Sequence, residues 1–392
     1  MNLRIPKNAN TVWSMNISHF FIEIYLFMHI SLIPIFIKEF KLSLFEVSFI
    51  ATIPTLAGLI VSLVSGLLID RIGAKPILVL GMALQVFGGF LVAECWDTLL
   101  LYVGVTFIST ASPLYHNSGL ATISRVLENK TLSKAIGIHN AMGSFGAFLG
   151  LITLPIILVY RNWRFSYLVW TVPILIWTLL LLRLKINFNY MPKEGAEIKS
   201  ERVVIFKSFI RFLLSMSLFL IGFVSINTFI TSYMVLERGL SEAIASLIYA
   251  IGPLIGIISS ISAGQLSSRV GDRRFLVLIM IGSAICAIGI PFTPSTSILA
   301  IVYLFFSFFS NSVWTPMTSI TASLTPLNRR GFAYSLSMST LQIVFVITPP
   351  LIAKIVEFSS LWIMFPISFV LIVMGVLALR ISTRSYKLIS NK

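Results

Sequence analysis

Long apolar segments alternate with short polar ones along the 392 residues of the chain. Each apolar segment has about 20 residues or more, the length that an α-helix needs to cross roughly 30 Å of hydrocarbon. A helix also satisfies its own backbone hydrogen bonds, as a lipid environment requires. The pattern therefore predicts an all-α membrane protein with twelve transmembrane helices at about 14–38, 46–69, 76–95, 98–126, 133–160, 163–184, 206–236, 243–267, 275–293, 296–324, 331–356 and 360–380.

The second half of the chain repeats the first. The segment GLLIDRIGAKP at 66–76 recurs in part as GQLSSRVGDRR at 264–274, an offset of 198 residues (264 minus 66). Repeated halves of a membrane protein usually pack around a central pathway. We predict an N-terminal six-helix bundle (1–185), a polar cytoplasmic linker (186–204) and a C-terminal six-helix bundle (205–392), related by pseudo-symmetry.

The composition excludes an ordinary soluble domain, because 57% of the residues are hydrophobic and 11% are charged, against about 25% charged residues in soluble proteins. The formal net charge is +15, but its distribution follows the positive-inside rule. With both termini inside, 23 of the 29 basic residues lie on the inner side and six (29 minus 23) on the outer side: Lys38, Lys41, Arg161, Arg164, Arg238 and Lys354. This predicts a multi-pass protein of the cytoplasmic membrane with cytoplasmic termini, whose basic charge contacts lipids and not nucleic acid.

The loop motif Gly-x-Leu-x-Asp-Arg-x-Gly-x-Lys after the second helix, with twelve helices and a central loop, resembles the major facilitator superfamily over essentially the whole chain. The resemblance implies two bundles that rock about a midplane site and a cytoplasmic gate at the motif. Asp70 would then face the start of helix eleven near Arg329 and Arg330. Ser268 replaces Asp70 in the second copy, so we expect an asymmetric latch; the alternative is a solvated turn that only sets topology. The expected gate residues are Gly66, Asp70, Arg71, Gly73, Lys75, Arg269, Gly271 and Arg273.

Ionisable residues within the apolar segments are candidate functional groups, because such groups are costly inside a membrane. His19 and Glu23 are four residues apart, on one face of the first helix. His116 lies near the middle of the fourth helix, and the resemblance implies that both helices line the central cavity. A desolvated carboxylate beside histidines can load and release a proton. We predict that Glu23, His19 and His116 couple transport to protons; the alternative is a hydrogen-bond cluster that ties the two helices together.

Two further histidines, His29 and His139, also lie in apolar segments; packing is favoured for His29 and the role of His139 stays open. The segments SHFFIEIYLFMHISLIPIFIKEF and YHNSGLATISR resemble the fosmidomycin-resistance-like efflux branch, which implies export. Two departures point away from a drug/proton antiporter: the fifth helix lacks the Gly-Pro pair of the antiporter motif, and the fourth has no intramembrane Arg. Closely spaced glycines at 143, 146 and 150 instead predict tight packing of the fifth helix.

Polar side chains at several helical positions are candidates for a substrate cavity that the two halves share, although such side chains also act as helix-packing groups. Trp314 occupies the repeat position of His116. The expected cavity residues are Asn117, Asn140, Asn227, Asn311, Trp314 and Gln342.

Together these features predict a monomeric secondary active transporter of a small molecule, proton-coupled, with export favoured over a proton-coupled importer or a facilitator. A membrane enzyme is disfavoured because the apolar segments contain no converging nucleophile or paired acids, and a sensor would normally carry a soluble output domain. No G-x-x-x-x-G-K-[ST] loop is present, which argues against ATP-driven transport. Cys95 and Cys286 have no metal-ligand spacing, so we expect no metal and no cofactor.

Overall fold

The computed structural model describes residues 9–126, 129–184, 203–324 and 330–390. These residues are almost entirely helical, which confirms the all-α prediction. The first half forms α1 (Ala9–Glu23), α2 (Met28–Ser31), α3 (Ile33–Phe40), α4 (Leu44–Ile72), α5 (Ala74–Ala93), α6 (Thr98–Val126), α7 (Asn129–Tyr160) and α8 (Arg164–Arg183).

The second half follows the same order. It forms α9 (Val203–Ser232), a π-helix (Tyr233–Glu237), α10 (Glu242–Val270), α11 (Asp272–Gly289), a 3₁₀ turn (Ile290–Phe292), α12 (Thr296–Asn311), α13 (Trp314–Ser323), α14 (Arg330–Glu357), a second 3₁₀ turn (Leu361–Ile363) and α15 (Met364–Ser390).

Eleven helical segments of the described residues are long and apolar enough to cross a membrane, and the bent pair Asn10–Ser31 and Ile33–Phe40 makes a twelfth if it counts as one span. The number agrees with the prediction, but the first span is not the continuous helix that its apolar pattern predicts. It bends by 55° between the two parts, and residues 24–27 form turns that end α1 at Glu23.

The internal repeat is visible in the backbone. Within the described ranges, positive φ angles occur at four residues, which form two pairs 198 positions apart (239 minus 41 and 271 minus 73): Lys41 at 54° with Gly239 at 67°, and Gly73 at 88° with Gly271 at 91°. Gly73 and Gly271 lie in the two copies of the loop motif, where glycine adopts this conformation without a steric penalty. Glycine thus permits the same turn of the backbone in both loops.

Repeated glutamates also make equivalent contacts within the two halves. Glu39 Oε2 accepts a hydrogen bond of 2.6 Å from Trp163 Nε1, and Glu39 Oε1 lies 2.6 Å from Arg164 Nη1. Its repeat counterpart Glu237 accepts a hydrogen bond from the backbone N–H of Leu361, which is the repeat counterpart of Trp163 (361 minus 163 is 198). Each glutamate thus joins the end of the first span of its half to the start of the last.

The chain divides into two compact units, which contain most of the first half and most of the second half. In the first unit α5 packs along α6 and α8, and α1 packs along α6 and α7. In the second unit α11 packs along α12 and α15, and α9 packs along α14 and α15. The first unit also includes Leu240–Pro253 and the second Leu44–Ser48. The linker predicted at 186–204 falls outside the described residues except at its end, where α9 begins.

Candidate functional site

The predicted cluster of His19, Glu23 and His116 forms within the first unit. Oε1 of Glu23, at the end of α1, lies 3.0 Å from Nε2 of His116 on α6 and 3.5 Å from Nε2 of His19 on α1. Glu23 and His19 are buried, whereas the His116 side chain is 35% exposed. The structure therefore brings together the three residues that the sequence singles out, although their role in proton coupling stays a prediction.

The hydrogen bond of His19 Nδ1 determines the tautomer of the ring, and therefore whether Nε2, which faces Glu23, carries a hydrogen or a lone pair. Nδ1 of His19 lies 2.7 Å from the backbone carbonyl oxygen of His139 on α7. A carbonyl oxygen only accepts, so Nδ1 carries the hydrogen. In the neutral ring Nε2 then presents a lone pair towards Oε1 of Glu23. Two acceptors in this position become a favourable pair only when a cation lies between them or one of them is protonated.

The position of Glu23 at the C-terminal end of α1 further favours a bound cation at this site. The C-terminal end of a helix carries a partial negative charge, which disfavours an anion and favours a cation. Residues 24–27 leave the helix, so the carbonyl oxygens of Phe21 and Glu23 accept from the N–H groups of Ile24 and Leu26, three residues on, and not from residues four positions on. A broken helix that ends inside the membrane is a common feature of ion and substrate sites in transporters.

Gln85 on α5 donates hydrogen bonds to backbone carbonyls at the interruption of the first span. Its side chain is fully buried, and its Nε2 donates hydrogen bonds of 2.6 Å to the carbonyl oxygen of Phe21 and 3.1 Å to that of Ile22. Backbone groups freed at membrane depth need such partners. No sequence motif identifies Gln85, and its only signal is that it is the one amide side chain within the apolar helix α5.

Glycines on α7 allow the close approach of α1 that the site needs. A Cβ atom on Gly143 would lie 2.5 Å from Cε1 of His19. A Cβ on Gly146 or Gly150 would overlap the carbonyl oxygen of Phe20 or Ile24. The glycine spacing therefore gives the tight packing that the sequence predicts.

His139 and Tyr115 complete the surroundings of His19. The ring of His139 stacks on that of His19 with centroids 4.1 Å apart, and the Tyr115 ring stacks on His19 at 5.3 Å. Nδ1 of His139 lies 3.3 Å from Oδ1 of Asn16, and the Tyr115 hydroxyl donates 2.6 Å to the carbonyl of Met15. The structure thus assigns His139, whose role the sequence left open, to the surroundings of the site.

The predicted gate residues have varied surroundings in the structure. Nζ of Lys75 donates to the carbonyl oxygens of Leu182 at 3.1 Å and Leu184 at 2.7 Å, so its charge caps the C-terminal end of α8. Arg71 and Arg269 are exposed.

The other gate predictions fall partly within and partly outside the described residues. Gly66 lies in α4 and Arg273 in the first turn of α11, where it is half-buried. The side chains of Asp70, Ser268 and Arg330, and all of Arg329, lie outside the described part of the chain. The asymmetric latch stays a prediction.

The second loop copy has a carboxylate, at Asp272, outside the predicted set of gate residues. Asp272 begins α11 and accepts hydrogen bonds from the hydroxyls of Ser267 and Ser319. It joins the end of α10 to α13 within the second unit. Its repeat counterpart is Ala74 (272 minus 198), so the two loops carry their acids at different positions.

The expected cavity residues divide into two groups. The Asn117 amide donates to the Ser62 carbonyl at 3.2 Å and to the Ser65 hydroxyl at 2.6 Å, so it ties α6 to α4. The Asn311 amide donates 2.9 Å to the carbonyl of Ser307 in its own helix. These contacts favour the packing alternative for both residues. Of the others, Asn140 is exposed, whereas Asn227, Trp314 and Gln342 are half-buried.

Comparisons with known proteins agree with this architecture. Residues 15–308 match the family model of the Major Facilitator Superfamily. A curated relative, the nitrite extrusion protein of Bacillus subtilis (strain 168), is 21% identical over 267 residues, which are 68% of this chain and 67% of the relative.

Solved structures show the same fold. Two crystal structures of a bacterial homologue of the human lysosomal transporter Spinster, inward-facing and either unoccupied or occupied, superpose with TM-scores of 0.73 at 14% and 12% identity, over 98% of this chain and 97% of theirs. Because the family model covers more than half of the residues and the fold agrees, the chain belongs to the Major Facilitator Superfamily, a family of multi-pass membrane proteins that transport small molecules and are not enzymes.

Proposed function

We propose that this chain is a proton-coupled exporter of a small molecule, in which Glu23, His19 and His116 hold the coupling proton. The observation that carries the proposal is the 3.5 Å approach of His19 Nε2 to Glu23 Oε1, with the opposite nitrogen of His19 bonded to a carbonyl. One proton between the two acceptors completes the arrangement. Its loss leaves a lone pair against a buried carboxylate at the negative end of a helix.

The proposed coupling acts on the contact between α1 and α6. His116 Nε2 lies 3.0 Å from the carboxylate, and a hydrogen bond to an ionised carboxylate is stronger than one to a neutral acid. Proton binding at Glu23 therefore weakens the tie to His116, and proton release strengthens it. Because residues 24–27 interrupt the helix directly after Glu23, the segment beyond the break can move without α1.

Two similarities support the export direction. The curated relative carries the name nitrite extrusion protein, and the segments that contain His19, Glu23 and His116 resemble the fosmidomycin-resistance-like efflux branch. We place the protein in the cytoplasmic membrane as a monomer with both termini inside, in line with its basic-residue distribution. Import or facilitated diffusion is the alternative, and the direction of coupled flux separates them.

The test is a screen in proteoliposomes that contain a trapped pH-sensitive dye. A panel of small anions and metabolites, nitrite among them, is added on one side, and proton movement is followed without an imposed gradient. For an exporter that exchanges substrate for protons, at least one compound drives protons in the direction opposite to its own flux. A transported compound that moves no protons, or that moves them in its own direction, would contradict the proposal.

A further inference from the structure

We propose that the three donor atoms of His19, Glu23 and His116 also form a binding site for a divalent transition-metal ion of the Zn²⁺ class. The inference rests on the proposed function for its consequence, inhibition of transport, but the binding itself can be tested without transport.

The spacing of the donor atoms fits one metal ion. The two imidazole nitrogens and the carboxylate oxygen all lie within 4.8 Å of one another, and two of the three separations are 3.0 Å and 3.5 Å. A tetrahedral Zn²⁺ with bonds of about 2.0–2.1 Å holds its ligand atoms roughly 3.4 Å apart. Small side-chain shifts therefore bring all three atoms into the coordination shell.

The surroundings orient His19 as a metal-ligating histidine. Its Nδ1 is bonded 2.7 Å from the His139 carbonyl oxygen, which leaves the Nε2 lone pair directed at the site. A hydrogen bond of this kind from the second ring nitrogen accompanies almost all histidine ligands of metals in proteins. Gly143 provides the space for the ring in this position.

The chemistry of the donors selects the class of ion. Two imidazoles and one carboxylate suit Zn²⁺ and neighbouring transition metals. Mg²⁺ and Ca²⁺ prefer shells of oxygen ligands. The side chain of His116 is 35% exposed, so this ligand is accessible from outside the packed helices. The negative end of α1 adds to the attraction for a cation.

Metal binding would hold α1 and α6 together. His19 and Glu23 belong to α1 and His116 belongs to α6, so a bound ion bridges the two helices where the proposed coupling requires a labile contact. The ion also occupies the position of the proton. We therefore expect Zn²⁺ to inhibit proton-coupled transport.

The binding test uses the purified full-length protein without a polyhistidine tag and Co²⁺ as a spectroscopic probe of tetrahedral sites. We expect saturable binding of one Co²⁺ per chain, displaced by Zn²⁺ and not by Mg²⁺. His19→Ala, Glu23→Gln and His116→Ala should each weaken binding by about tenfold or more. His29→Ala is the matched control, since His29 is also buried but is not among the three donors. It should bind as the wild type does.

The absence of saturable binding would overturn the inference, as would binding that the three substitutions leave unchanged. His116→Gln serves as a second variant if His116→Ala does not fold. Co²⁺ binding without proton-coupled flux would refute the proposed function alone, whereas proton-coupled flux without Co²⁺ binding would refute this inference alone.

Discussion

Nε2 of His116 lies 3.0 Å from Oε1 of Glu23, and this contact joins the middle of α6 to the last residue of α1. The same carboxylate oxygen lies 3.5 Å from Nε2 of His19. One buried oxygen atom is therefore shared between a contact within α1 and a contact between helices. Binding of a proton or a metal ion at this oxygen therefore alters its contacts with both histidines at once.

Gly143→Ala should displace His19 from the His139 carbonyl, because the new Cβ would lie 2.5 Å from the imidazole. Overpacking of this kind costs about 1–3 kcal/mol. We expect a lower melting temperature in detergent and impaired proton-coupled transport. Gly264→Ala is the control, since a Cβ there has no neighbour within 4 Å. Equal behaviour of the two variants would refute the role of Gly143.

Gln85→Met should impair transport by removing the side-chain donor to the carbonyl oxygens of Phe21 and Ile22. The Phe21 oxygen keeps a 3.4 Å hydrogen bond from the Ile24 N–H, whereas an unsatisfied buried acceptor costs about 1–3 kcal/mol, and we expect the segment before Glu23 to shift. The pH dependence of transport should change together with thermal stability. A change in stability with an unaltered pH profile would limit Gln85 to a structural role.

Glu23 and Gln85 show which parts of the site the sequence predicts and which it does not. The spacing of His19 and Glu23 predicts a shared helical face from periodicity alone. The 198-residue offset (271 minus 73) predicts two related halves, and the matching positive φ angles of Gly73 and Gly271 agree with it. The break after Glu23 leaves no such signal, because residues 24–27 contain neither Gly nor Pro. Tertiary contacts stabilise the break, through an amide 62 residues away (85 minus 23).

The backbone carbonyl that accepts a hydrogen bond from His19 was also not predictable from the sequence. The His139 carbonyl fixes the tautomer of His19, but every residue has a carbonyl, so no residue type identifies it. In the second loop copy, Ser268 at the repeat position of Asp70 carries no charge, which is why the sequence predicts an asymmetric latch. Asp272, four residues further on, provides a carboxylate with hydroxyl partners.

Asp70→Asn should reduce transport more than Ser268→Ala, because only Asp70 offers a negative charge to a helix N-terminus. The comparison is valid at equal amounts of protein in the membrane. The measurement is the initial rate of substrate flux in proteoliposomes. Equal defects in the two variants would argue against an asymmetric latch.

Cysteines introduced at Ser200 and Asn391 should react with a membrane-impermeant maleimide only after cells are opened, because the basic residues place both on the cytoplasmic side. Ser359→Cys, exposed between α14 and α15, should react in intact cells. Cys286 is replaced by Ser in this experiment. Cys95 can stay, since burial raises the pKa of its thiol to about 11 and so keeps it unreactive near neutral pH. Efficient labelling at 200 or 391 in intact cells would reverse the orientation.

The most direct test of the proton site is the Glu23→Gln variant in proteoliposomes, with a compound that the wild type transports. The amide keeps the shape of the side chain and cannot take up the proton. We expect uphill transport driven by a pH gradient to fall to background while substrate exchange persists. His19→Ala and His116→Ala should shift its pH dependence, and Glu94→Gln, at an exposed carboxylate, should leave it unchanged. If Glu23→Gln still accumulates substrate against its gradient with wild-type proton dependence, the proton is bound elsewhere and the cluster only ties α1 to α6.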